Sequence, residues 1–466
     1  MTAPRIATLR RRVLIISPAF PPRSAPDSQR VRMSLPYYRE NGWDPIVLCV
    51  TPAEVEAPEE TVLLETIPAD VPVYHCSALA KSISRRIGIG NLGWRAWWPL
   101  ATLGAKLIRE QRIDLVFFST TQFALLPLGR IWRQLFGVPF VVDLQDPWRT
   151  DYYERSGVRR APGGWKYQIA RAQAALLEPW SFRKMSGLIS VSEKYLHDLR
   201  SRYHWFHTVP SASVGFGASE LDLEVAKRLS PALAPRAAVS SSFPAIPRAA
   251  AIGNPLPSHT FVYTGAAGPI TPHAVSLLFS ALALFRAEAP ERAQRLRFQF
   301  IGTSYAPADR AEPTVLPIAE AFGVTDLVSE SAARAGHLEC IRAQAAADVL
   351  FLGGSSDLAY SPSKLYPYFW ARRPILAIVF RNSVLERTLR RLGGAHRIVF
   401  AETEIVEARA QLVAYFRDLA EERLVSADPR DDVYFETHYL ARSLTGRQTE
   451  LFDRAWQHAQ SDVDVI

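Results

Sequence analysis

With 466 residues, 48% hydrophobic and 21% charged, the chain has globular composition and enough apolar content for two domains of about 200 residues each. No apolar run reaches the about 18 to 20 residues that span a bilayer. Cys49, Cys76 and Cys340 lie too far apart for a disulfide framework or a zinc pattern, which points to a reducing cytoplasm, and the ten histidines show no H-x-x-x-H pair on which metal chemistry could rest. The surplus of 54 Lys+Arg over 46 Asp+Glu gives a net charge of +8, but no recognisable nucleic-acid motif accompanies it, so nucleic acid is not the expected partner.

The start imitates a signal peptide, with arginines followed by Val13 to Ile16. Four strongly apolar residues before Ser17 and Pro18 are too few for an export segment, and the stretch reads as a buried first strand, Arg12 to Ser17. Ile46 to Val50, Asp114 to Ser119, Pro139 to Leu144 and Gly187 to Ser192 read as further strands. These runs are apolar without alternation, as expected for strands covered on both faces of a parallel sheet. Helical spacing occupies Gln29 to Asn41, Phe123 to Phe136 and Trp165 to Lys184. The pattern is that of a doubly wound α/β domain.

Between Lys81 and Arg112 lie seven basic residues (Lys81, Arg85, Arg86, Arg95, Lys106, Arg109, Arg112) against one acid, Glu110, together with Trp94, Trp97 and Trp98. Basic residues beside interfacial aromatics suit an anionic membrane surface. A solvated helix whose tryptophans point inward fits the window equally well. The loop Glu154 to Arg171 carries five basic residues and Trp165, which suits covering a lipid-linked or polyanionic acceptor; a solvated loop is the plainer reading.

Leu229 to Ser258 is rich in Pro, Ala and Ser and reads as a linker. Strand signals then resume at Phe261 to Gly265, Leu296 to Gly302, Asp348 to Gly354, Pro374 to Phe380 and Arg397 to Phe400, giving a second doubly wound domain. The tail from Asp432 to Gln460 has one long helical pattern whose Tyr439, Leu444, Phe452 and Trp456 need apolar cover. The expected division is 1–210, a hinge and linker at 211–258, 259–430, and a terminal helix at 431–466 crossing back to the first domain. Ligands of open α/β sheets bind beyond the carboxyl ends of the strands. No G-x-G-x-x-G or P-loop is present, which disfavours a dehydrogenase or a kinase.

SPSKLYPY, Ser361 to Tyr368, places two prolines five residues apart. Ser361 reads as a cap, Pro362 as the first helical residue, and the N–H groups of Ser363 and Lys364 as free donors that favour an anion, with the lysine adding a full charge. The plain alternative is a capped helix with a solvated lysine. Thr264-Gly265 follows the second domain's first strand, where glycine lets a diphosphate approach the backbone or merely makes a tight turn. Asp146, at a strand's carboxyl end, suits hydrogen bonds to sugar hydroxyls, or capping of the turn at Pro147. Arg23 and Arg30 either reach the binding region or lie on the surface.

Four segments carry a family resemblance over nearly the whole chain. VLIISPAFPPRSAPDSQRVRMSLPYYRENGWDPIVL, GVPFVVDLQDPW, SVGFGASELDLEVA and SPSKLYPYFWARRPILAI resemble, in order, motifs of the GT-B glycosyltransferases of the glycosyltransferase group 1 / subfamily 4-like family. The resemblance implies two Rossmann-like domains, with the acceptor on the first and a nucleotide-diphosphate sugar on the second. It also implies a retaining, metal-independent transfer in polysaccharide or cell-surface glycan biosynthesis, by a cytoplasmic protein peripheral to the plasma membrane, with no cofactor beyond the co-substrate. The acceptor would be a glycan or a lipid-linked one. Lys364 and Asp146 would be catalytic, with Gln145 (where the family usually has His), Thr264, Gly265, Asp357, Ser363 and Arg30 contacting substrate. The family's paired glutamates are replaced by Ala359 and Pro367, with Asp357 as a possible substitute. This departure keeps open a non-catalytic GT-B homologue that binds glycan or scaffolds a complex; a nucleotide-sugar epimerase of the same fold is the other alternative.

Overall fold

The computed structural model describes residues 10–86, 90–149, 164–229, 259–267, 270–304, 306, 308–423 and 427–461. Within them the chain divides into two compact units, Met1–Phe216 with Ala441–Ile466, and Gly217–Leu440.

The first unit holds β1 (Arg11–Ile16), β2 (Trp43–Val50), β3 (Val73–Cys76), β4 (Leu115–Ser119), β5 (Phe140–Leu144), β6 (Gly187–Ser190) and β7 (Ser211–Ser213) in one sheet of order β3-β2-β1-β4-β5-β6-β7. Every pairing is parallel. The side-chain period of two divides β1 between layers: Leu14 and Ile16 join one apolar cluster, Val13 and Ile15 the other. That is why its sequence shows no polar alternation.

The second layer is completed from the far end of the chain. The helix Ala441–Ser461 contributes Leu444, Leu451, Phe452 and Ala455 to the cluster of Val13, Ile15 and Trp43. The Phe452 ring lies 4.9 Å from Phe117, 5.5 Å from Trp43 and 6.1 Å from Tyr38. Burying one such aromatic stabilises by about 1.5–3 kcal/mol.

The second unit holds β8 (His259–Thr264), β9 (Leu296–Ile301), β10 (Val328–Ser331), β11 (Val349–Gly353), β12 (Ile375–Phe380) and β13 (Ala395–Phe400), in the order β10-β9-β8-β11-β12-β13, again parallel. At its core Phe261 stacks on Phe298, and Phe416 meets both rings edge to face.

Several expectations need correction. The long terminal helix breaks at Leu440 into Asp432–Tyr439 and Ala441–Ser461. The first piece belongs to the second unit, where Tyr439 stacks on Tyr366 at 4.6 Å and so finds its cover there. The Gln29–Asn41 run is an α-helix only over Ser28–Ser34 and continues as 3-10 turns, because Pro36 cannot donate the next ladder bond. The segment after Gly217, expected as hinge, forms a helix Glu220–Arg228 in the second unit, with Asp222 Oδ2 2.6 Å from His337 Nε2. Arg95, counted on the basic face, is buried and donates to the carbonyls of Leu79 and Glu54. Trp98 is 70% and Trp94 38% exposed, whereas Trp97 lies against the core. The linker from residue 230 and most of the Glu154 to Arg171 loop lie outside the described residues.

Candidate active site

Each sheet reverses its strand order once: β1 neighbours β4 in the first and β8 neighbours β11 in the second. The loops leaving such a pair diverge and open a crevice at the carboxyl ends.

In the first unit, Asp27 precedes the Ser28–Ser34 helix without capping it. Its Oδ2 instead accepts from Thr121 N at 3.1 Å and from the hydroxyls of Thr120 and Thr121 at 3.2 Å, tying the loop after β1 to the loop after β4. Arg30, one turn into that helix, is buried. Its Nε stands 2.8 Å from Asp143 Oδ2, and Nη2 donates to Val214 O at 2.7 Å. Asp143 Oδ2 also accepts from Ser119 Oγ and Gln145 Nε2, while its Oδ1 is buried with no partner. An ion pair this deep is held by such added hydrogen bonds, since desolvation offsets much of the Coulombic gain.

Asp146 follows on the exposed side. Burial, and then the nearby Asp27 carboxylate, raise its pKa above the usual aspartate value. The following segment is fixed: Trp148 stacks on Phe123 at 5.5 Å, and Arg149 N donates to Glu178 Oε2 at 3.1 Å. Glu178 is itself buried and bonded to Arg202 and Tyr203.

In the second unit, β8 ends in Thr264 and Gly265, the latter at φ +90°, a conformation glycine adopts without a Cβ penalty. Thr264 N donates to the Tyr368 hydroxyl at 2.8 Å, and Gln344 Nε2 donates to Thr264 Oγ1 at 2.9 Å. Lys364 Nζ lies 3.6 Å from the centroid of the Tyr263 ring and 3.5 Å from Ala266 O, and a Cβ on Gly265 would stand 3.4 Å from it. Burial lowers the Lys364 pKa to about 7. The buried Thr271 Oγ1 and Gln344 Oε1 have no partner.

The helix start is not where SPSK suggested. The helix is Leu365–Trp370 with Lys364 as its N-cap, and Pro362 lies ahead of it, accepting from Leu365 N. Pro367 is thus the third helical residue, in the first turn, where its missing N–H has no intrahelical partner to lose. Ser363 is exposed, and Asp357 accepts from Ala359 N at 2.9 Å in an exposed loop, a local turn contact.

Thus Lys364, Thr264 and Gly265 are gathered at one crevice, and Arg30, Gln145 and Asp146 at the other, with Arg30 interior and Gln145 structural. Asp27, Asp143, Glu178, Gln344 and Tyr368 went unremarked in the sequence. For Asp27 and Asp143 the signal is a carboxylate next to a strand end, which is too common to stand out.

Residues 28–210 match the family described as Glycosyl transferase 4-like domain. Among solved structures, alpha,alpha-trehalose 6-phosphate synthase from Burkholderia multivorans superposes with a TM-score of 0.52 at 12% identity, over 98% of this chain and 99% of that one. The synthase from Burkholderia xenovorans in complex with glucose-6-phosphate gives 0.51 at 11% identity, covering 96% of each chain. The N-terminal domain of trehalose-6-phosphate phosphatase from Candida albicans gives 0.50 at 12%, over 96% of this chain and 98% of that one. No curated protein matches the chain. At these identities the likeness establishes the fold, two α/β units of the GT-B type.

Proposed function

We propose that this chain, a GT-B protein whose residues 28–210 form a glycosyl transferase 4-like domain, is a glycosyltransferase that moves a sugar, with retention, from a nucleoside-diphosphate donor to a glycan or lipid-linked acceptor in cell-surface glycan assembly. The carrying observation is the Lys364 ammonium, lodged beside the Gly265 backbone at the carboxyl end of β8. A leaving diphosphate gains charge during transfer, and a fixed cation stabilises that state more than the ground state. The same cation makes transfer independent of divalent metal. Asp146 contacts sugar hydroxyls from the first unit. The exposed Trp94 and Trp98 and the cations beyond them hold the protein at an anionic inner membrane surface.

The test is a thermal-shift screen with UDP-, GDP-, ADP- and dTDP-sugars, because a ligand of the folded state raises the midpoint. One donor should stabilise the native chain and leave Lys364→Met unmoved, and transfer should survive a chelator. The absence of the family's carboxylates at Ala359 and Pro367 favours a second reading, a non-catalytic glycan-binding homologue. Failure of every donor to shift the midpoint would select it.

A further inference from the structure

The three cysteines of the chain sit in unlike surroundings. Cys49 is 1% and Cys76 5% exposed in the sheet of the first unit. Burial pushes both thiols up, Cys76 to about 12, and so holds them in the unreactive protonated form. Cys340 is partly exposed and outside any disulfide. It lies in the helix His337–Ala346, which packs on β8 and on the Leu365–Trp370 helix. Cys340 comes one turn before Gln344, so the two side chains share a helix face. Gln344 Nε2 donates to Thr264 Oγ1 at the end of β8, which places that face at the Lys364 crevice. There the charge of Cys340 favours the ammonium of Lys364, and a cation beside a thiol in turn favours the thiolate, the form that attacks. Gln344 marks the same place independently. Its side chain is buried, Nε2 is spent on Thr264, and Oε1 has no hydrogen-bond partner among the described residues. A buried acceptor left over in this way calls for a small hydrogen-bond donor.

We propose that Cys340 is a peroxide-reactive thiol whose oxidation closes the Lys364 crevice to anions. The co-reactant is a hydroperoxide. Its terminal O–H donates to Gln344 Oε1, and the Cys340 sulfur attacks that oxygen. An S–O bond forms and the O–O bond breaks; the sulfur gives up two electrons, which reduce the peroxide. The proton that the thiol lost goes to the leaving oxygen, giving water or an alcohol. The sulfenic acid then occupies the space beside Lys364. Ionised as the sulfenate, it supplies the ammonium with an anion of the chain's own. The closing of the crevice rests on the reading of Lys364 as the cation for the donor diphosphate, whereas the reactivity of the thiol does not.

The experiment treats the reduced full chain with hydrogen peroxide, traps sulfenic acid with dimedone and maps the label by mass spectrometry. Cys340 should be labelled faster than Cys49 and Cys76 by about tenfold or more, since those two hold almost no thiolate. Lys364→Met should slow that labelling by about fivefold or more, and Gln344→Leu should slow it as well, with circular dichroism confirming the fold. The midpoint shift given by UDP or GDP should shrink in the oxidised chain and return with dithiothreitol. In Cys340→Ser it should persist under peroxide. Labelling of Cys340 no faster than that of the buried pair overturns the proposal. So does an unchanged nucleotide shift in a chain fully oxidised at Cys340. If neither nucleotide shifts the reduced chain, the transferase reading fails; a Cys340 that still reacts first then upholds the thiol, and one that does not overturns it.

Discussion

The two units share a parallel sheet with one reversal of strand order, yet they arrange charge in opposite ways. In the first, the crevice cation Arg30 is sunk against Asp143 and carbonyls, and the exposed remainder is carboxylate. In the second, Lys364 has an aromatic ring and a single long carbonyl contact near it, and orphaned acceptors lie deeper. A buried guanidinium with its carboxylate already bound is architecture. An enclosed ammonium with no carboxylate partner among the described residues is what the proposed anion site would need. Similar topology thus gives each unit a crevice at the reversal of strand order, and the two crevices differ in the partners of one cation.

The sharpest break of this contrast is to remove each cation in turn. Arg30→Met strands Asp143 in the interior, and breaking a buried pair from one side costs about 3–5 kcal/mol. Urea unfolding should register that loss in full, with or without donor. Lys364→Met should lose no folding stability, yet reduce turnover by about 100-fold or more, the scale of one preorganised donor. Equal stability losses in the two variants would erase the distinction, and full turnover in the second would remove Lys364 from the mechanism.

What could be read in advance follows the same physics. The ten strands inferred from continuous apolar runs are all present within one to three residues at each end. The three that escaped notice, β3, β7 and β10, stand at sheet edges or next to solvent, with patterns VYHC, SAS and VSES that bury little. A strand that packs on few neighbours carries no hydrophobic run to betray it. The turn at Gly265 was legible because a glycine after a strand marks backbone geometry, whereas Lys364 was argued from a helix start that the structure moves to Leu365. Arg30 was not, because its burial depends on Asp143 and Val214, far off in sequence. The start of the Leu365–Trp370 helix was misplaced by three residues, since Ser-Pro is as good a turn as it is a cap.

The Lys364 pKa gives the contrast a pH axis. In the empty protein it falls from 10.5 to about 7 through burial. Between those values the unfolded chain binds the additional proton, so this group makes stability rise with pH from about 7 to 10.5, and Lys364→Met should flatten that slope. A bound diphosphate favours the charged lysine, so above pH 7 binding takes up a proton. Nucleoside-diphosphate affinity should thus fall by up to about tenfold between pH 8 and pH 9, and calorimetry in buffers of different ionisation enthalpy should detect the proton. A flat profile, or one unchanged in Lys364→Met, would mean that the anion sits elsewhere.

The smallest effect lies outside the crevices. The first unit carries exposed positive charge on one helix face: Trp94, Trp98, Lys106 and Arg109 recur at helical spacing along Leu92–Glu110, with Lys106 and Arg109 exposed and Lys106 4.0 Å from Glu110. Arg95, next to Trp94 in sequence, is not part of that face because it points into the unit. Each cation near an anionic bilayer contributes about 1 kcal/mol. Lys106→Glu and Arg109→Glu should therefore each weaken binding to phosphatidylglycerol vesicles by about fivefold or more. Salt should mimic them, because about 0.5 M ionic strength shortens the screening length well below 8 Å. Trp98→Ala should weaken binding at any salt, since its loss is one of apolar contact. Arg95→Lys, altering only the buried cation, should leave partitioning unchanged. Co-sedimentation that ignores the outer cations while responding to Arg95 would remove the membrane contact from this helix face.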